Sequence, residues 1–233
     1  MNEAHQLKRP QLILFDVYET LLNMNDIERR VNALMDSKRG YILWFELFMQ
    51  YMFVDNCTVQ FHDFTSIGAA TMQMTAQMLD QKLKPGDAAE IMERMKHVPL
   101  QEGVQKGLSH LHDQGYKLAA LTNSPENIIR DRMERTGLIS YFIKLMSSET
   151  VGKYKPDLTV YRWALNELGC TPDDTLMVTT HGWDIAGADN AGIRTVYIRQ
   201  SKQMLYPLSP VPNLICNDIA DLAKQLKERF SSA

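Results

Sequence analysis

An aspartate, Asp16, closes the run Gln11–Phe15 (QLILF), and three later runs of the same kind end in groups able to act beside it. Lys117–Leu121 (KLAAL) ends in Thr122, Asn123 and Ser124. Thr175–Val178 (TLMV) leads into Thr179, Thr180 and His181 and on to Asp184, and Arg194–Ile198 (RTVYI) ends in Arg199. Continuous apolar runs of this length mark strands buried on both faces of a parallel sheet. The ligand crevice of such a sheet lies outside the carboxyl ends of its strands, so the residues that follow the runs should meet there. That rule gathers Asp16, Val17, Tyr18 and Thr20 with Thr122, Asn123 and the segment Thr179–Asp184, and Lys153 and Lys155 of GKYKPD are placed to join them. Other chemistries lack their signatures: there is no Gly-x-Gly-x-x-Gly after the first run, no Walker lysine motif, no Gly-x-Ser-x-Gly and no His-Glu-x-x-His. What remains is a carboxylate nucleophile, a recognised route to a covalent intermediate.

The elements that must hold these groups are legible. Helical stretches Gln105–Gln114, Glu126–Arg135 and Leu158–Leu168 separate the later runs, with stop signals at Gly115, Gly137 and Gly169. Strands alternating with helices predict an α/β fold, a doubly wound Rossmann-like parallel sheet. Residues 23–97 differ: they have helical periodicity, no buried run, and a Met- and aromatic-rich stretch, YILWFELFMQYMF, which Glu46 and Gln50 interrupt. That stretch is too short for a bilayer and reads as part of an inserted helical cap domain, with its Met and aromatic residues as core or a dimer face. The expected division is a catalytic core of residues 1–22 and 98–233 and a cap of residues 23–97.

Composition excludes several classes. The 233 residues carry 25 basic and 28 acidic side chains, a net charge of −3, with no Lys/Arg-rich run, which argues against nucleic-acid binding. Such a chain builds its core without staples. Its three cysteines form no Cys-x-x-Cys pair, so neither a disulfide framework nor a zinc site is expected, and Cys57 and Cys170 read as small buried apolar residues. The polar start MNEAHQLKRP lacks a signal-like apolar segment, and a cytoplasmic protein without membrane attachment is expected. His110 and His112, in SHLHDQG, read as residues of a helix surface.

LFDVYETLL, LAALTNS, GKYKPDLTVY and MVTTHGWDIAGADNAG, in that order, resemble the four motifs of the haloacid dehalogenase superfamily over nearly the whole chain. Phosphatases of that superfamily resemble Asp-x-Asp in the first motif and Gly-Asp-x-x-x-Asp in the fourth. Here Tyr18 and Thr180 stand at two of those acids, which removes a leaving-group acid and a Mg²⁺ ligand. Asp-x-Tyr with a Trp before the last Asp instead resembles the (S)-2-haloacid dehalogenases, type II, which need no metal or other cofactor.

The resemblance implies a hydrolase that releases halide from short (S)-2-haloalkanoic acids through an aspartyl ester on Asp16. Its partners would be a small anionic haloacid, halide and a second copy of the chain in a homodimer. Lys155 would hold the nucleophile, Thr20 and Tyr161 would orient the network, and Asp184 with Thr179 would serve the hydrolytic water. Thr122 and the amides of Val17 and Tyr18 would bind the substrate carboxylate. Arg39, Asn123 and Trp183 would cradle the halide and Phe64 would wall the cap, although Arg39 also reads as a surface arginine and Trp183 as core packing. His181 replaces the asparagine usual in these enzymes, and either serves as base for the water or supplies the missing hydrogen bonds. Glu19 stands where a small residue is usual; facing inward it would raise the nucleophile's pKa, so it should point away or pair with a base. The alternatives are a Mg²⁺-dependent phosphatase using Asp16 and Asp184, and a non-catalytic relative.

Overall fold

The computed structural model describes residues 8–230; the ends of the predicted core, residues 1–7 and 231–233, lie outside the described residues. Six parallel strands form one sheet in the order β3-β2-β1-β4-β5-β6. They are β1 (Leu12–Phe15), β2 (Lys117–Thr122), β3 (Phe142–Ser147), β4 (Thr175–Thr179), β5 (Arg194–Ile198) and β6 (Leu214–Cys216). Every residue of β1 and β4 is buried, as unbroken apolar runs require when helices cover both faces. The architecture is thus the expected Rossmann-like α/β fold.

Nine α-helices flank or follow the strands among the described residues. Between β1 and β2 run α1 (Asn25–Leu34), α2 (Gly40–Thr58), α3 (Phe64–Met78), α4 (Asp87–Met95) and α5 (Val104–Asp113). The rest are α6 (Glu126–Arg135), α7 (Leu158–Leu168), α8 (Gly182–Asn190) and α9 (Ile219–Phe230). Residues 23–97 contain only helices, and Trp44, Phe48 and Met52 along α2 are fully buried, so these members of the Met- and aromatic-rich stretch are core. No described helix is long and apolar enough to cross a membrane. His110 and His112 are exposed on α5. Cys57 corrects its expectation: it is exposed, and Cys170 is only half-buried. The buried stripe of α2 passes through Phe48, Met52 and Asp55 and leaves position 57 on the outer side.

Two strands carried no signal recognised above, β3 and β6, and both are the outer strands of the sheet. Lys144 interrupts the apolar run of β3, and Ile143 of β3 and Ile215 of β6 are exposed. β1 instead lies between β2 and β4, with Phe15 in register with Ala120 and Val178. The chain after β1 therefore emerges between the tips of β2 and β4.

Local signals then aim the side chains. Asp157 accepts from the Thr159 amide at the start of α7, and Gly169 ends that helix in the left-handed region at φ 61°, fixing the turn of helix that carries Tyr161. Gly187 on α8 allows the close approach of α7: a Cβ there would lie 2.6 Å from Tyr161 Oη.

Candidate active site

Asp16 follows β1 directly and its amide donates to the Val178 carbonyl at 2.9 Å, which locks it against the end of β4. Its carboxylate is 4% exposed and receives three donors. Lys155 Nζ reaches Oδ1 at 2.9 Å, while Thr20 Oγ1 at 2.8 Å and His181 Nδ1 at 3.1 Å share Oδ2. Lys155, fully buried, turns its other side to Asp184 Oδ2 at 2.8 Å, and Tyr161 Oη donates to Asp184 Oδ1 at 2.5 Å. Thr179 Oγ1 accepts from the His181 amide at 3.1 Å, and Thr20 Oγ1 from the Thr180 amide at 3.2 Å. Seven residues distant in sequence, Asp16, Thr20, Lys155, Tyr161, Thr179, His181 and Asp184, thus form one connected cluster.

Glu19 is the addition. Its backbone sits in the left-handed region at φ 61°, which costs an L-residue about 1 kcal/mol and which glycine adopts freely. In that conformation Oε2 lies 2.9 Å from His181 Nε2 and accepts from Gln203 Nε2 at 2.6 Å, and Oε1 accepts from Tyr41 Oη at 2.9 Å. Glu19 therefore pairs with a base. The imidazole has a carboxylate on each nitrogen and stacks between Trp183, 4.9 Å away, and Phe45, 6.1 Å away.

The electrostatics follow from burial set against these partners. Burial pulls the His181 imidazole down, but hydrogen bonds and charge from Asp16 and Glu19 push it up to about 10. Burial would raise the Asp16 carboxyl; Lys155 and His181 outweigh it and hold the group far below the usual carboxylate range. Burial also opposes the charge on Lys155, and the two aspartates restore it, so the ammonium persists. Asp184 is raised by burial, because it shares its one cation with Asp16. Burial first and Glu19 second raise the Tyr41 phenol well above its ordinary value, so it stays a donor.

This donor set does not suit a divalent cation. The Lys155 ammonium already pairs with both carboxylates, Asp16 and Asp184, and Thr180 offers a neutral hydroxyl, Oγ1, buried without a hydrogen-bond partner. Hard divalent ions take several oxygen ligands, preferably anionic, and no group of three or more His, Cys, Asp or Glu among the described residues is arranged to hold one.

The other predicted contacts divide. Val17 and Tyr18 continue the turn from Asp16: the Val17 carbonyl accepts from the Leu21 and Leu22 amides, and the Tyr18 ring stacks on Phe64 at 6.0 Å. Thr122 pairs with Ser124 Oγ at 2.9 Å beside the β1 tip. Trp183 is half-buried and faces a cavity in front of His181. Three residues depart from expectation. Arg39 is exposed at the start of α2 and does not reach the cavity; the turn before the helix ends there, and the helix face that follows presents Tyr41 and Phe45 instead. Phe64 packs inward on Tyr18 and Phe48 and does not line that cavity. Asn123 does not line it either: its amide is consumed by Lys155 N, Lys155 O and Ser148 Oγ, which ties the tip of β2 to the lysine loop.

Residues that the sequence reading missed are Tyr41, Phe45 and Gln203. Tyr41 and Phe45 carry a weak signal, the four-residue spacing that puts them on one face of α2, whereas Gln203 lies in a loop without any motif.

Comparison with known proteins gives the context. Residues 13–198 match the profile described as "Haloacid dehalogenase-like hydrolase". The chain is 23% identical over 223 residues to (S)-2-haloacid dehalogenase 4A of Burkholderia cepacia, covering 94% of this chain and 96% of that protein. It is 26% identical over 237 residues to N-acylneuraminate-9-phosphatase of Homo sapiens, covering 95% of each. Among solved structures, the L-2-haloacid dehalogenase of Xanthobacter autotrophicus superposes with a TM-score of 0.84 at 19% identity, covering 94% of this chain and 98% of that one.

Proposed function

Because the chain belongs to the haloacid dehalogenase-like hydrolase family, we propose that it releases halide from (S)-2-haloalkanoic acids, using Asp16 as nucleophile and no metal ion, and yields 2-hydroxy acids. One observation carries this reading: Lys155 Nζ bridges Asp16 at 2.9 Å and Asp184 at 2.8 Å, so a lysine ammonium supplies the positive charge next to the nucleophile. An Asp16 carboxylate oxygen attacks C2 in line, the C–X bond breaks, and halide leaves with the bonding pair. Water then adds to the carbonyl carbon of the aspartyl ester, the 2-hydroxy acid departs, and the carboxylate is regenerated.

The neighbours divide the work. Asp184, raised by burial, takes the proton of the hydrolytic water and hands it to the departing alkoxide oxygen of the 2-hydroxy acid, with Tyr161 and Lys155 fixing its orientation. His181 acts as a charged donor to the nucleophile and not as the resting base, since both ring nitrogens face carboxylates. With Arg39 on the surface, His181 and Lys155 are the cations that offset the departing halide. Thr122 and the amides of Val17 and Tyr18 receive the substrate carboxylate. Residues 23–97 form the cap, which contributes Tyr41, Phe45 and Phe53 to the wall of the substrate cavity.

The test is halide release from (S)-2-chloropropionate in the presence of EDTA, with hydrolysis of a generic phosphomonoester measured alongside. Wild type should release chloride and Asp16→Asn should lose at least about 10³-fold, the scale on which removal of a covalent nucleophile acts. Chloride release that persists in the variant, or activity confined to the phosphoester and abolished by chelation, would refute the proposal.

A further inference from the structure

A cavity of about 700 Å³ opens on His181, the one member of the Asp16 cluster in its lining. Its floor includes Glu19, His181 and Trp183, and His181 Nδ1 is 3.1 Å from Asp16 Oδ2, so one side chain separates it from the nucleophile. Pockets of about 300–1,000 Å³ hold drug-sized ligands, and a three-carbon haloacid would leave most of this one to water. The wall facing the floor is apolar: Tyr41, Phe45, Met49 and Phe53 project from successive turns of α2. Its charged members are uneven in sign. Lys202, the wall's lysine, is bound by both carboxylate oxygens of Glu28, and Glu46 faces the cavity with no ion-pair partner among the described residues. A second anionic group on a ligand would meet the unpaired Glu46, with no unpaired cation among the described lining residues to answer it.

We propose that the substrate carries a large uncharged apolar substituent on C2, an alkyl chain of four or more carbons or an arylmethyl group, which extends past the His181 ring into this cavity while the reacting carbon sits at Asp16. The inference rests on the hydrolytic role proposed for Asp16 and goes beyond it by naming the substrate class. Apolar burial converts into rate when the same contacts hold the transition state, and each methylene fully buried corresponds to about a three- to fourfold gain.

The experiment compares bromide release from racemic 2-bromopropionate, 2-bromohexanoate, 2-bromo-3-phenylpropionate and 2-bromosuccinate by the intact wild-type protein. Calorimetric binding of the unreactive propionate and 3-phenylpropionate is measured in parallel. kcat/KM should rise by about 50-fold from bromopropionate to bromohexanoate, a gain of three methylenes. It should remain high for the phenyl compound and fall below the bromopropionate value for bromosuccinate. Gln50→Trp, an exposed position on the cavity rim, should cut the bromohexanoate advantage at least fivefold.

Equal kcat/KM across the monoacids, or 3-phenylpropionate binding no tighter than propionate, would overturn the cavity assignment and leave the role of Asp16 standing. No bromide from any compound, together with at least tenfold tighter binding of 3-phenylpropionate, would overturn the role of Asp16 and keep the cavity assignment. No bromide and no binding preference would overturn both.

Discussion

Replacing Glu19 by Gln removes one of the two carboxylates that face His181 while keeping a side chain of the same length beside Tyr41 and Gln203. Asp16 and Glu19 together push the imidazole from 6.5 to about 10, against burial that pulls it down. Each contributes one hydrogen bond and one charge at about 3 Å, so losing Glu19 removes about half of a push that must also overcome burial, at least half of the net elevation, and brings the midpoint to roughly 8 or below. The folded value lies above the unfolded one. The stabilisation is therefore fully present below pH 6.5 and is lost as pH rises through about 10 in the wild type, or through roughly 8 in the variant. Below pH 6.5 the variant should be less stable by about 2 kcal/mol, a melting temperature lower by roughly 4–8 °C for a domain of this size. Above pH 10 this difference should vanish. Proton NMR of the His181 ring, assigned by comparison with His181→Asn, follows the midpoint directly, and melts at pH 6 and pH 10 follow the linkage. A midpoint in Glu19→Gln within about half a pH unit of wild type, or equal melting temperatures at pH 6, would refute the assignment of Glu19 as the group that keeps His181 charged.

Two further perturbations probe the cluster from other sides. Lys155→Met leaves Asp16 and Asp184 buried without their shared cation and should cost about 3–5 kcal/mol at pH 7; urea unfolding should show a smaller loss at pH 4, where the orphaned carboxyls take up protons, and equal losses at both values would contradict the bridge. Gly187→Ala places a Cβ 2.6 Å from Tyr161 Oη and from Pro156 Cβ, so it should lower stability by about 1–3 kcal/mol and reduce kcat by displacing Tyr161 from Asp184, measured by denaturation and by halide release.

The chemistry-bearing residues were legible because apolar runs buried on both faces leave an unambiguous end. β1, β2, β4 and β5 stop within a residue of where the runs do, and the strand register brings the residues after three of them, Asp16, Thr122 and Thr179 to Asp184, to neighbouring tips of the sheet. β3 and β6 escaped because outer strands are solvated along one edge and need no continuous apolar run: Lys144 breaks the first and the second has only three residues. Arg39 and Phe64, and the halide-cradling role of Asn123, came from resemblance, and their surroundings in this chain send them to the surface, to the core beside Tyr18, and into the lysine loop.

Periodicity and short motifs along the chain are enough to specify the parallel α/β sheet, the helical insertion and the candidate nucleophile, and family resemblance adds its lysine. The charge state of the site is set by contacts in space. Whether Glu19 would strengthen or spoil the nucleophile depended on which way its carboxylate turned, and the left-handed backbone at that position turns it to His181 Nε2. Tyr41 from α2 and Gln203 from a late loop complete its hydrogen bonds. Coulombic and hydrogen-bond energies in a buried site fall off over a few ångströms, and no pattern along the chain encodes distances that three separate segments must set together.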